Sequence, residues 1–220
     1  MSFLVVANFK SHKTSKEVDS WLASVPSSPN VLVAPSFPSL PLALTRWPSS
    51  VCAQDVSPFP LGSYTGAVSA QELSSLGVKY CLIGHSERRH YFHETALDIA
   101  GKAKELVESG ITPVICLRQE DLSPDRAALD DTSISASYFC YEPPADIGGS
   151  LTAPLEDIQN ITDQIKQLFN TSRVMYGGSV NADNVASLPP LNLSGVIVST
   201  ASLDPISFNQ IIAQLSHVKN

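Results

Sequence analysis

The 220-residue sequence predicts one (β/α)₈ barrel over residues 1–220, a single domain, on three observations. Eight short β-rich apolar runs recur along the chain, and amphipathic stretches of helical period separate them. Most of the runs are apolar on both faces, as parallel strands covered by helices must be. No glycine follows the first run in "ANFKSHK", where the runner-up architecture, an open doubly wound sheet, ordinarily carries a glycine-rich fingerprint.

In chain order, "FLVVA" (3–7) reads as the first strand and 15–24 as its helical return. "VLVA" (31–34) with 39–46, and "VCAQ" (51–54) with 69–76, give the second and third units. "YCLIG" (80–84) precedes 94–109, where Leu97, Ala100, Ala103, Leu106 and Val107 share one helical stripe and Gly110 suits the position past its end. "PVICL" (113–117) opens a fifth unit with a shortened return: "RQEDLSPDRAALDDTSI" leaves room for only a turn or two of helix before "SYFCY" (137–141). In 154–170, Leu155, Ile158, Ile161, Ile165, Leu168 and Phe169 recur at spacings of three and four, and Pro154 suits a first turn. "RVMY" (173–176) and "GVIVS" (195–199) complete the strands, with weaker helical patterns at 181–188 and 205–215. No linker or low-complexity segment divides the chain.

Hydrophobic residues make up 43% of the sequence, enough for one sizeable core. The formal charge of −7 argues against non-specific binding to nucleic acid or to an anionic membrane, although a few local donors can still hold a small anion. Cys52, Cys81, Cys116 and Cys140 sit in apolar runs with no CxxC spacing, so buried thiols in a reducing compartment are expected. The apolar run in "MSFLVVANFK" is too short for a signal peptide or a membrane span, which makes a cytoplasmic location the expectation.

In a parallel barrel, reactive groups collect where strands end at the C-terminal face. The first strand delivers Asn8 and Lys10 there, the fourth His85, Ser86 and Glu87, and the sixth Glu142. The seventh delivers "YGGS", Tyr176 to Ser179, and the eighth Ser199 and Thr200. Singly, each has a plain structural reading: a solvated lysine, a packing histidine, a salt-bridged helix start in "ERRH", a tight turn in "YGGS". Together they place a base, an imidazole, a cation and an anion cradle on one face. A carboxylate and a neutral histidine suit proton transfer beside a carbonyl, and a lysine stabilises charge developing on oxygen. Backbone N–H groups at Gly177, Gly178 and Ser179 suit a phosphate. His85, His90 and His93 lie close in sequence but lack a matching ligand cluster or an HExxH pattern, so neither a metal nor a cofactor is expected.

From the first strand to the final helix, "ANFK", "AQDVSP" followed by "GSYTG", "GHSERR", "YEP" and "YGGSVN" resemble the motifs of the triosephosphate isomerase family. The resemblance implies the TIM barrel and interconversion of dihydroxyacetone phosphate and D-glyceraldehyde 3-phosphate through an enediol(ate). It implies Glu142 as the base, His85 as a neutral electrophile, Lys10 as the fixed cation with Asn8 beside it, and Glu87 in a supporting or proton-handling role. Gly148, Gly178, Ser179, Ser199 and Thr200 are then expected around the phosphate. A flap after Glu142 is expected to close and exclude water, meeting Tyr176 and Ser179 near 150–153. Loop 57–66, apolar at Phe59, Leu61 and Tyr64, is implied to dock into a second subunit with Thr65 reaching the neighbour's site, giving a homodimer or higher homo-oligomer.

The sequence departs from the family at four places. Ser199 and Thr200 stand where the family has two glycines, Ala145 and Asp146 where it usually has tryptophan and alanine, and Gln119 where it has an acid; the connection after the fifth strand is cut down. If the backbone at 199–200 needs positive φ, the added Cβ atoms strain the cradle and weaken substrate affinity. The reading from another class is a catalytically weak or inactive barrel retained for binding or assembly, and a third is a related phosphosugar isomerase or aldolase. An aldolase calls for a Schiff-base lysine inside a strand, and a glycosidase for paired carboxylates; neither pattern accounts for Lys10.

Overall fold

The computed structural model describes residues 3–143 and 152–216. Eight strands form one sheet: β1 (Leu4–Asn8), β2 (Val31–Ala34), β3 (Cys52–Ala53), β4 (Tyr80–Ile83), β5 (Thr112–Leu117), β6 (Tyr138–Tyr141), β7 (Val174–Tyr176) and β8 (Gly195–Val198). They run parallel in the order β2-β1-β8-β7-β6-β5-β4-β3, and a lone bridge between Val33 and Val51 joins the two ends. The predicted barrel is therefore the observed one.

Period-two alternation sorts the strand residues into two cores. Leu4 and Val6 of β1 join Leu82, Cys116, Cys140 and Met175 inside the barrel. Val5 and Ala7 face outward, where they pack with helical residues such as Val18, Ile99 and Ile158. Where β8 meets β1 the fit is so close that a Cβ on Gly195 would lie 2.3 Å from the Leu4 carbonyl oxygen, so only glycine is accommodated.

Among the described residues the surrounding helices are α1 (Ser15–Ser24), α2 (Leu40–Arg46), α3 (Ala70–Leu76), α4 (Ser86–Tyr91), α5 (Ala96–Glu108), α6 (Leu122–Ala128), α7 (Asp131–Ala136), α8 (Leu155–Leu168) and α9 (Pro205–Ser216). Their ends follow local chemistry. Thr14 and Glu17 form a reciprocal capping box at α1, and Thr95 and Asp98 do so at α5. Gly110, expected past the end of α5, has φ +72.

Two connections differ from expectation. The shortened return between β5 and β6 holds a 3₁₀ turn, Gln119–Asp121, and then both α6 and α7. Asp130 allows the second helix by accepting the Ser133 N–H at 2.7 Å, while Leu122, Leu129 and Ile134 bury the pair against the barrel. Conversely, 181–188 contains only the 3₁₀ turn Val185–Ser187. The Asn181 side chain takes the Asp183 and Asn184 N–H groups, and Pro189 and Pro190 cannot donate to continue a helix. No helix among the described residues is long and apolar enough to cross a membrane.

Candidate active site

The strand alternation that points Val6 inward carries on past β1 toward the barrel mouth. Asn8 is buried there, and its Oδ1 accepts the Lys10 N–H at 3.0 Å. That bond supports Lys10 in a left-handed conformation, φ +47, which a non-glycine residue seldom holds unaided. Gln54, just after β3, donates to the Lys10 carbonyl at 2.9 Å and to the Ala34 carbonyl at 2.7 Å, fixing the turn from the other side. Lys10 Nζ then reaches Glu87 Oε1 at 2.8 Å.

At the end of β4, His85 caps α4. Its Nδ1 accepts the Glu87 N–H at 3.2 Å. A ring nitrogen that accepts cannot also carry the proton, so the neutral ring holds its hydrogen on Nε2, 3.2 Å from Glu142 Oε1. Glu142 follows β6, with its N–H on the Leu117 carbonyl at 2.8 Å and its side chain only 3% exposed. The second carboxylate oxygen accepts the Ser86 N–H at 3.1 Å, at the start of α4. Glu142 is therefore a buried carboxylate held by one backbone donor and one imidazole.

Beside it, Gly177 follows β7. A Cβ there would lie 2.8 Å from Cys140 Sγ and 3.3 Å from Glu142 Cγ, so the strand end passes against the carboxylate with no room for a side chain. Beneath α4, Arg89 braces two strand ends: Nε donates to the Gly84 carbonyl at 2.7 Å and Nη2 to the Cys116 carbonyl at 3.1 Å. Its counter-ion is Asp125 of α6, a fully buried carboxylate that burial pushes up in pKa despite the opposing pull of Arg89.

The residues that the sequence suggests for a phosphate lie on the neighbouring strand ends. Gly178 is buried and Ser179 has φ +34, with its carbonyl accepting from Asn184 Nδ2 at 2.9 Å. Ser199 has φ −101, and the 3₁₀ turn Thr200–Ser202 follows it. Neither Ser199 nor Thr200 has a positive φ, so the condition on which the strain expectation rested is not met, and Ser202 Oγ closes the turn onto the Ser199 carbonyl at 2.7 Å. Gly148, Ala145, Asp146 and Ser150 lie outside the described residues.

Asn8, Lys10, Glu87, His85 and Glu142 are thus joined by one run of contacts. Gln54, Arg89, Asp125 and Asn184 escaped that reading. Glutamine after "VCA" and arginine in "GHSERR" carry no local signal of a partner; their bonds join segments far apart in sequence. No cluster of metal-ligating side chains occurs among the described residues.

Away from the mouth, the Phe59 and Tyr64 rings of loop 57–66 stack at 4.7 Å, and Leu61 stays 70% exposed. The loop stands on a charged base. Buried Lys102 pairs with Asp55 and Glu94, and Arg88 bonds the same two carboxylates at 2.8 and 2.6 Å.

A family-wide sequence profile described as triosephosphate isomerase matches residues 3–215. Over 238 residues the chain is 36% identical to the triosephosphate isomerase of Thermus thermophilus, covering 93% of this chain and 95% of that one. It is 33% identical to the enzyme of that name from Thermodesulfovibrio yellowstonii, over 94% and 97% of the two chains. It is 32% identical to that of Mycoplasmoides gallisepticum, over 96% and 98%.

Proposed function

We infer, since the chain belongs to the triosephosphate isomerase family and is an isomerase of that type, that the side chains at the barrel mouth divide the proton transfers as follows. Glu142 removes a proton from the carbon beside the carbonyl of dihydroxyacetone phosphate. The Nε2–H of His85 and the ammonium of Lys10 stabilise the oxygen as it gains charge, and an enediol(ate) forms. Glu142 returns its proton to the neighbouring carbon, while His85 relays a proton between the two oxygens. The product is D-glyceraldehyde 3-phosphate, with no net proton gained or lost.

The 3.2 Å contact between His85 Nε2 and Glu142 Oε1 is the observation that carries this reading. It brings the electrophile and the base within hydrogen-bond reach of each other at the barrel mouth, so an arriving carbonyl takes over the Nε2–H that Glu142 now accepts. Glu142 leaves the Ser86 N–H to reach the substrate carbon. Asn8 holds the Lys10 turn, and Glu87 orients both Lys10 and His85. The phosphate rests on N–H groups from Gly148, Gly178 and Ser179 and on the turn at Ser199 and Thr200. The same reading makes the protein a cytoplasmic homodimer joined through loop 57–66.

Glu142→Asp and Glu142→Gln test the assignment in a coupled assay with each triose phosphate. Withdrawing the carboxylate by about 1 Å should cost roughly 10²-fold in kcat, and removing the base should cost more. Near-native turnover by Glu142→Gln would sink the assignment.

A further inference from the structure

Beside the phosphate-side turn, the Asn184 side chain has its hydrogen-bonding atoms engaged. Asn184 precedes the 3₁₀ turn Val185–Ser187 and gives away both amide hydrogens, one to Thr152 Oγ1 and one to the Ser179 carbonyl at 2.9 Å. Its Oδ1 accepts the Asn181 N–H at 2.9 Å. Asn181 answers with its own Oδ1, which accepts the Asp183 and Asn184 N–H groups at 2.9 and 3.2 Å. These partners fix which way the amide faces. A flip would set Nδ2 against the Asn181 N–H and Oδ1 against the Ser179 carbonyl, replacing bonds with repulsions.

The held carbonyl belongs to the residue at φ +34. A non-glycine residue stays in that region only where its surroundings over-determine it. Thr152 adds to the hold, because its Oγ1 lies 3.5 Å from the same carbonyl oxygen. Two side chains from different segments therefore converge on one peptide group at the barrel mouth.

We propose that Asn184 is a positioning residue for the phosphate: by pinning the Ser179 carbonyl and Thr152 together, it sets the left-handed turn that aims the Ser179 N–H at the anion. The inference rests on the reading of Ser179 as a phosphate donor. Asn184 touches no reacting atom, so its effect falls on affinity more than on the chemical step.

The test compares Asn184→Ala, Thr152→Val and Thr152→Ser with the native protein, well below the melting temperature of each. Inorganic phosphate binding is titrated calorimetrically, and kcat and KM are measured separately. Asn184→Ala should weaken phosphate binding and raise KM by about three- to tenfold, with kcat changing far less. Thr152→Val should move the same quantities in the same direction, whereas Thr152→Ser, which keeps the hydroxyl, should restore them. Native phosphate affinity in folded Asn184→Ala and Thr152→Val overturns the proposal, as does a fall in kcat that tracks the folded fraction with KM untouched. Should Asn184→Ala not fold, the Thr152 pair decides alone. A native protein that binds phosphate but converts neither triose phosphate refutes the assigned reaction, and the phosphate titrations still judge Asn184.

Discussion

Replacing Gly177 with alanine adds one methyl group at the most crowded point beside Glu142. The new Cβ would lie 2.8 Å from Cys140 Sγ, against an ordinary contact of 3.4–4 Å, so something must move by about 1 Å. Cys140 cannot readily yield, because its side chain is wholly buried in the barrel interior with Cys116 and Met175. The other near atom is Glu142 Cγ at 3.3 Å, so part of the displacement passes to the carboxylate. Gly177 does not occupy the left-handed region, so the substitution tests crowding alone. A misplacement of ~1 Å can cost ~10²-fold in rate. The expectation for Gly177→Ala is therefore a fall in kcat of about 10- to 100-fold and a stability loss of about 1–3 kcal/mol. Adding Cys140→Ala removes the sulfur and should recover most of the rate. The measurements are kcat and KM in both directions by coupled assay, with melting followed by calorimetry. A Gly177→Ala protein of native rate and stability would refute the reasoning, as would a folded double variant that recovers nothing.

Glycine at both 199 and 200 should leave KM unchanged or raise it. Ser199 needs no left-handed torsion, and two glycines add chain entropy of about 0.5–1 kcal/mol each; a clear fall in KM would show that the side chains do crowd the phosphate. All four thiols should resist a thiol reagent in the native protein and react only on unfolding, since each is buried and burial pushes the Cys52 pKa up to about 12. Rapid labelling of any of them without unfolding contradicts that placement. Light scattering should give twice the chain mass, with Leu61→Asp shifting it toward the monomer, because Leu61 is 70% exposed on a loop held by charged residues at its base. A fully active monomer at assay concentration overturns that expectation.

The strands were legible because a parallel barrel buries both strand faces, leaving runs such as "PVICL" with no polar interruption. Helix ends were legible where one residue sets them, as with Gly110 after α5. The stretch 181–188 misled, because its helical spacing competes with asparagines whose side chains take the backbone donors first. At the candidate site, polar side chains placed directly at a strand end stood out from the sequence. Residues that act through a distant partner did not. Arg89 and Asp125 are 36 positions apart, and nothing local to either records the other. The torsion at Ser199 was equally hidden, because a serine–threonine pair fits both strained and ordinary turns.

The ring of strands is sewn shut at one stitch. Every other neighbouring pair shares a run of two or more registered residues, but β2 and β3 meet only at Val33 and Val51, and β3 itself spans two residues. In amide-exchange terms this seam should open at the lowest free energy of any strand boundary. Gln54 sits one residue beyond β3, so each opening would also let go of the Lys10 and Ala34 carbonyls. Asp55 and loop 57–66 come next along the chain, and a second subunit gripping that loop would clamp the seam from outside. Exchange at Val33 and at 51–54 should therefore slow with rising protein concentration, linking the lysine's turn to the presence of a neighbour.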